Sequence, residues 1–288
     1  MRSLRYTLLD VFTSRALTGN ALAVFTDGRG LSPDTMQALA REMNLSESVF
    51  VLPPEAGGQA KIRIFTTAQE LPFAGHPTLG TAFALGGALQ AETVRLETGV
   101  GIIPVRLERE GAKVVFGWMQ QRVPTARLLE QPARLFAALG LSESALPVIE
   151  YDNGIKQIFV AADSEQRVAT LRPNLEQLGV LFPEAAINVF CVQRQRVAGS
   201  VHVKTRNFAV AFGMREDPAT GSAAGSLAVH LHRHGQLPFG TTLHVHQGEE
   251  IHCPSELYAL LHGSGDTLER VEVGGSAVVI GRGEIAHY

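Results

Sequence analysis

The sequence predicts an α+β protein of two similar domains related by pseudo-twofold symmetry, each a curled, barrel-like mixed β-sheet around a central buried helix. Three observations carry this. "HPTLGTA" (76–82) and "DPATGSA" (217–223) share the pattern [HD]-P-x-x-G-[ST]-A, setting Pro77 over Pro218 and Gly80 over Gly221. Upstream, "RIFT" (63–66) and "SVFVL" (48–52) find counterparts in "RNFA" (206–209) and "NVFCV" (188–192), in the same order and at an offset of about 140 residues. An ordered offset near half the chain is the mark of a duplicated unit. Finally, "PTLGTAFALGG" and "PATGSAAGSLAVHLHRHG" are small or apolar nearly all the way round, and a helix of that kind must be buried.

Each element has its local reason. In "SPDTMQALAREMN", Ser32 is placed to cap a helix and Pro33 to take its first position. Met36, Leu39, Ala40 and Met43 then form one apolar stripe that ends near Asn44. "SVFVLP" and "AKIRIFTT" follow as strands rich in β-branched and aromatic residues. The [HD]-P segments open the two apolar helices, with proline at the first helical position, where its missing N–H costs nothing. Alternating runs come after each helix: "TVRLETGVGIIPVRLERE" and "AKVVFGWM" in the first half, "TTLHVHQGEEIHCPS" and "ERVEVGGSAVVIGRGEIAHY" in the second. "QQRVPTARLLEQP" interrupts the strands. The expected domains are therefore 1–122 with a C-terminal strand at about 279–288, and 123–278.

Composition excludes several classes. The chain has 288 residues, 45% of them hydrophobic, enough for two modest cores. A formal charge of −3 and the lack of any Lys/Arg stripe argue against nucleic acid. "MRSLRYTLLDVF" has no signal-peptide core, and no run approaches membrane-spanning length, so a cytoplasmic protein is expected. Cys191 and Cys253 are isolated and are read as small buried residues in strands. The histidines of "HLHRHG" (230–235) and His244, His246 and His252 lack an HExxH partner, so they are read as solvated, with no metal site. "HGSGDTLE" is not a dinucleotide loop and there is no G-x-x-x-x-G-K-[ST], so no nucleotide and no cofactor is expected.

A buried helix start presents unpaired N–H groups and positive potential, which suits a carboxylate ligand. Gly75, Gly80, Gly221 and Ser222 lie at the two starts; glycine there permits close approach to a ligand or tight helix packing, and the Ser222 hydroxyl adds a donor. Asn20, in "LTGNALAV", sits in a glycine turn ahead of an apolar strand, where its residue type suits a left-handed turn position.

"DVFTSRALTGNALAVF", "MQALAREMNLSESVFVLP", "RIFTTAQELPFAGHPTLGTAFAL" and "EDPATGSAAGSLAVHL" together resemble the PhzF-like proteins of phenazine biosynthesis, across nearly the whole chain. The resemblance implies the diaminopimelate epimerase-like fold, a homodimer, and a small carboxylate as substrate, and it offers Asn20 a place bordering the site as an alternative to the turn position. His76 and Asp217 occupy equivalent positions in the two halves, where diaminopimelate epimerase has two cysteines, so thiol chemistry is closed to this chain. Glu47, in "NLSES" beside Ser46, has Ile187 as its counterpart, so this carboxyl exists in one half only. By resemblance, Glu47 is the acid/base that moves a proton along a conjugated cyclic acid, and burial would lift its pKa toward neutrality. Asp217, whose residue type and following proline also suit a plain helix cap, would stay ionised at a helix start. Three functions are then open: a cofactor-independent isomerase using Glu47, with His76 and Asp217 polarising the substrate; an epimerase or racemase in which His76 and Asp217 are the two bases; and a binding protein without turnover.

Overall fold

A computed structural model describes residues 2–193, 199–265 and 267–287. The chain divides into two compact units, Met1–Gln120 with Gly274–Tyr288, and Gln121–Val273. In the first unit the order is β1 (Arg2–Val11), β2 (Asn20–Phe25), α1 (Pro33–Met43), β3 (Glu47–Leu52), β4 (Ala60–Phe65), β5 (Glu70–Leu71), α2 (Gly75–Leu89), β6 (Thr93–Thr98), β7 (Gly101–Glu110) and β8 (Lys113–Gln121). The second unit holds β9 (Thr125–Leu128), α3 (Ala133–Leu139), β10 (Ile149–Asp152), β11 (Lys156–Ala161), α4 (Glu165–Thr170), α5 (Leu175–Leu181), β12 (Ala185–Val192), β13 (Ser200–Phe208), α6 (Gly221–Arg233), β14 (Thr242–Gln247) and β15 (Ser255–Ser264). β16 (Thr267–Gly275) then leads to β17 (Ala277–His287).

The duplication is visible in the pairing. In the first unit β17 and β1 pair antiparallel, as do β1 and β2; β2 and β3 are parallel, β3 and β4 antiparallel, β4 and β6 parallel, and β6 and β7 antiparallel. The second unit repeats these senses with β9 through β15. Parallel neighbours need a crossover. Accordingly α1 joins β2 to β3 and α2 lies between β4 and β6, while α4 and α5 join β11 to β12 and α6 joins β13 to β14. Both units are thus the curled mixed sheet with an internal helix that the sequence predicts. α6 is buried from Gly221 through Leu231, and α2 from Gly75 through Phe83.

α1 forms as its sequence dictates: Ser32 accepts from Thr35 N at 3.1 Å, and Asn44 ends the helix in the left-handed region. Its stripe of Met36, Leu39 and Ala40 packs on Phe25, Phe50 and Phe65, with Phe25 and Phe50 stacked at 4.7 Å. The second core gathers Leu135, Ile158, Val160, Ile187, Val189 and Phe208 under α3, α4 and α5.

The repeated R-x-F motif has a structural use that the sequence pattern alone does not reveal. On a strand, positions two apart share a face. Arg63 therefore lies over the Phe65 ring at 5.2 Å and Arg206 over Phe208 at 5.0 Å. Each guanidinium also forks onto a downstream acid, Arg63 onto Glu70 and Arg206 onto Glu216. The Arg206 pair is buried on both sides, whereas Glu70 is exposed.

Four local expectations are corrected. α2 begins at Gly75, so Pro77 is its third residue rather than its first, still inside the turn whose N–H groups have no helical acceptor. α6 begins at Gly221, because Asp217 N donates to Asn207 O and holds the Asp-Pro segment in an extended bridge ahead of the helix. Cys191 is a buried strand residue, but Cys253 is half-buried in a turn, where its N–H donates to Gly248 O. His230 is not solvated. It is 0% exposed and enclosed by Tyr151, Phe159 and Phe190, because the helix carrying it is buried on every side.

Removing one partner from a buried ion pair costs about 3–5 kcal/mol, while an exposed pair is worth about 1 or less. Arg206→Ala is expected to lower unfolding stability by at least about 3 kcal/mol and Arg63→Ala by about 1, as measured by urea denaturation.

Candidate functional site

β2 opens at Asn20, immediately after Gly19. Gly19 has φ +74°, and a Cβ there would lie 2.5 Å from Val11 O, so only glycine makes this turn. Asn20 itself is not left-handed; the positive φ angles belong to Gly19 and Leu17. The turn is anchored from behind by Asp10, whose buried carboxylate accepts from Leu17 N at 2.6 Å. Burial raises the Asp10 pKa, and that hydrogen bond opposes the rise.

Parallel pairing of β2 with β3 sets Leu22 beside Glu47. Asn20 and Glu47 thus start neighbouring strands at the same end. α2 supplies the third group: His76 is its second residue, with Nδ1 3.3 Å from Asn20 Nδ2 and Nε2 3.5 Å from Glu47 Oε2. All three are buried, Glu47 at 4% exposure and His76 at 2%. Ser46 is half-buried just ahead of Glu47.

Burial pushes the His76 pKa down to about 3, against a smaller opposing hydrogen bond with the Ala21 backbone. The ring is neutral at physiological pH. Its contact with Glu47 is therefore that of an uncharged imidazole with a carboxyl, since an ion pair at 3.5 Å would not repay the desolvation of both groups. No side chain caps α2, and its first turn carries no acid. The positive end of the helix therefore meets no carboxylate from its own first turn.

Gly75 is the first residue of α2. Gly80 faces the sheet, where a Cβ would come within 2.5 Å of Leu22 and 2.8 Å of Val11. Of its two possible uses, tight packing is the one that Gly80 serves. It seats α2 against the strands that carry Asn20.

In the second unit Asp217 is 4% exposed and accepts from the Thr220 hydroxyl at 2.6 Å. Thr220, not Asp217, is the residue before α6, and no side chain caps that helix. Gln247 fastens the segment, its Nε2 donating to Asp217 O at 2.7 Å and to Thr220 Oγ1 at 2.9 Å. Gly221 and Ser222 are the first two residues of α6. The Gly221 carbonyl accepts from Gln121, and Ser222 Oγ lies 3.2 Å from Gln157 Nε2.

Beyond Ser222 runs an amide network that the sequence motifs miss. Gln157 Oε1 accepts from Asn188 at 2.8 Å and from Asn207 at 3.2 Å, and Asn207 donates to Asn188 Oδ1 at 2.7 Å. Two of the three segments carry the signal in another form: "KQIFVA" and "AAINVFCV" each set an amide in an apolar strand, and a buried amide must find partners.

The family model described as phenazine biosynthesis-like protein (PhzC-PhzF) matches residues 9–283. The chain is 46% identical over 279 residues to a trans-2,3-dihydro-3-hydroxyanthranilate isomerase of Pseudomonas aeruginosa, covering 97% of this chain and 98% of that protein. It superposes on the crystal structure of a PhzF-family phenazine biosynthesis protein of Bacillus anthracis with a TM-score of 0.85 and 25% identity, over the full length of both chains. A hydroxyproline epimerase from Agrobacterium vitis shares the fold at a TM-score of 0.70 and 14% identity, covering 99% of this chain and 92% of that one. Sequence, length and fold agree, and the chain belongs to the phenazine biosynthesis-like PhzC-PhzF family.

Proposed function

We propose that this isomerase moves a hydrogen between two carbons of a small cyclic, conjugated carboxylic acid, with Glu47 as the group that takes the proton and returns it. The substrate class is supported by the name of the Pseudomonas aeruginosa relative, trans-2,3-dihydro-3-hydroxyanthranilate isomerase, a protein that matches 97% of this chain. The observation that carries the reading is the Glu47 carboxyl, buried and 3.5 Å from a neutral His76.

The chemistry balances within the substrate. Glu47, as carboxylate, accepts a proton from a ring carbon, and the electron pair of that C–H bond spreads along the conjugated system toward the substrate carboxylate. The carboxylic acid so formed gives the proton to a second carbon on the same face, which restores Glu47. Charge delocalised onto the substrate carboxylate is favoured by the uncapped start of α2 and by hydrogen bonds from neutral groups, the roles assigned to His76 and Asn20. The transfer calls for no redox cofactor, because no redox change occurs, and Glu47 itself carries the proton. A cytoplasmic homodimer belongs to the same reading.

The alternative, a two-base epimerase, asks His76 to hold a proton that burial denies it. A ring whose pKa lies at about 3 is a weak base and does not supply an acid at neutral pH. The fold is shared with an epimerase, so these residues, not the scaffold, decide between the two.

Glu47→Gln is expected to lower kcat on trans-2,3-dihydro-3-hydroxyanthranilate about 10³-fold, with KM and the melting temperature little changed. Retention of more than about a tenth of the wild-type rate would overturn the assignment. For His76, imidazole ¹⁵N spectra are expected to show a neutral ring at pH 5. Because its folded pKa lies below the unfolded value of about 6.5, stability is lost as pH falls from about 6.5 toward 3. His76→Gln should flatten that slope, and a protonated ring at pH 5 would rule out the neutral His76.

A further inference from the structure

We propose that His202, His244 and His246 form a binding site for a divalent transition-metal ion, with zinc the best match to the donors, on one face of the second unit's sheet. Sequence spacing conceals it, because His202 lies some forty residues from the other two. The parallel register of β13 and β14 removes that distance by setting His202 directly beside His244. His246, two residues further on, shares the face of His244. Leu243, Val245 and Gln247 alternate with them and point inward, so the three rings stand together on the opposite side of the sheet, half-buried.

The donor atoms converge. One nitrogen from each of the three rings lies within 4.8 Å of the others, and His202 Nδ1 is 3.2 Å from His246 Nε2. Tetrahedral coordination with metal–nitrogen bonds of about 2.0–2.1 Å separates ligand nitrogens by about 3.3 Å. The His202–His246 pair already meets this spacing, and a small rotation of the His244 ring brings in the third. His244 Nε2 is buried and makes no hydrogen bond among the described residues. A buried polar atom without a hydrogen bond calls for a ligand.

The surroundings suit a cation. His202 turns its other nitrogen, Nε2, to Ser200 Oγ at 3.0 Å, the outer hydrogen bond that orients a metal-ligating imidazole. Tyr258 stacks on His244 at 4.3 Å, and Glu256 Oε2 stands 3.9 Å from His244 Nε2, within reach of a fourth coordination position. The nearby Lys204 ammonium is balanced by Glu249 and Glu250. Imidazoles with one carboxylate select zinc and its neighbours over magnesium or calcium. A bound ion would tie β13, β14 and β15 together.

The test uses the full chain without a histidine tag, stripped with EDTA and titrated with zinc chloride by calorimetry, and with cobalt(II) followed by visible absorption. The proposal expects one saturable ion per chain, an intense tetrahedral cobalt spectrum and a rise in melting temperature on adding zinc. His202→Ala, His244→Ala and His246→Ala should each abolish all three signals while melting like the wild type in EDTA. Ser200→Ala should bind about tenfold more weakly. Absence of saturable binding, or binding that survives all three histidine substitutions, overturns the site. Neither result bears on Glu47, because the readouts do not involve turnover.

Discussion

The site in the first unit depends on one pairing, the parallel alignment of β2 with β3. Had these strands run antiparallel, Asn20 and Glu47 would lie at opposite ends. In parallel register they begin together, with Leu22 beside Glu47, and the start of α2 lowers His76 between them. Parallel pairing requires a crossover, which is why α1, with its Ser32 cap and its stripe on Phe25 and Phe50, is a precondition of that juxtaposition. Gly80 then fixes how closely α2 approaches Leu22, and thereby the depth at which the imidazole sits. Depth sets the charge, since a ring this far from water stays neutral.

The duplication shows which constraints a scaffold keeps and which it releases. Both units retain the order of parallel and antiparallel neighbours, and both retain an arginine lying over a phenylalanine and forked to an acid. The starts of their inner helices have diverged. His76 is inside its helix, whereas Asp217 is held four residues before α6 by Asn207, Thr220 and Gln247. Where β3 opens with Glu47, the matching strand β12 carries Ile187 in its core. One unit keeps a carboxyl that the other has exchanged for packing.

Much of this was legible in the residues. The cap and stripe of α1, the apolar inner helices and the repeated strands rest on local chemistry, and the structure bears them out. Local pattern did less well wherever a partner distant in sequence decides the outcome. Asp217 has the composition of a cap, but a carbonyl on β13 captures its N–H. His230 has the composition of a solvated residue, but the three aromatic rings that enclose it come from strands 40 to 80 residues upstream. The amides of Gln157, Asn188 and Asn207 are scattered in the chain, and strand register alone makes them a network.

If one buried carboxyl carries the hydrogen out and back, both transfers take place on one face of the ring, and stereochemistry in heavy water reads this out. Turnover of trans-2,3-dihydro-3-hydroxyanthranilate in D2O is expected to deliver hydrogen to the same ring face from which it left, and Glu47→Gln should show no deuterium entering either carbon. Delivery to the opposite face, or exchange that continues unchanged in Glu47→Gln, would contradict it.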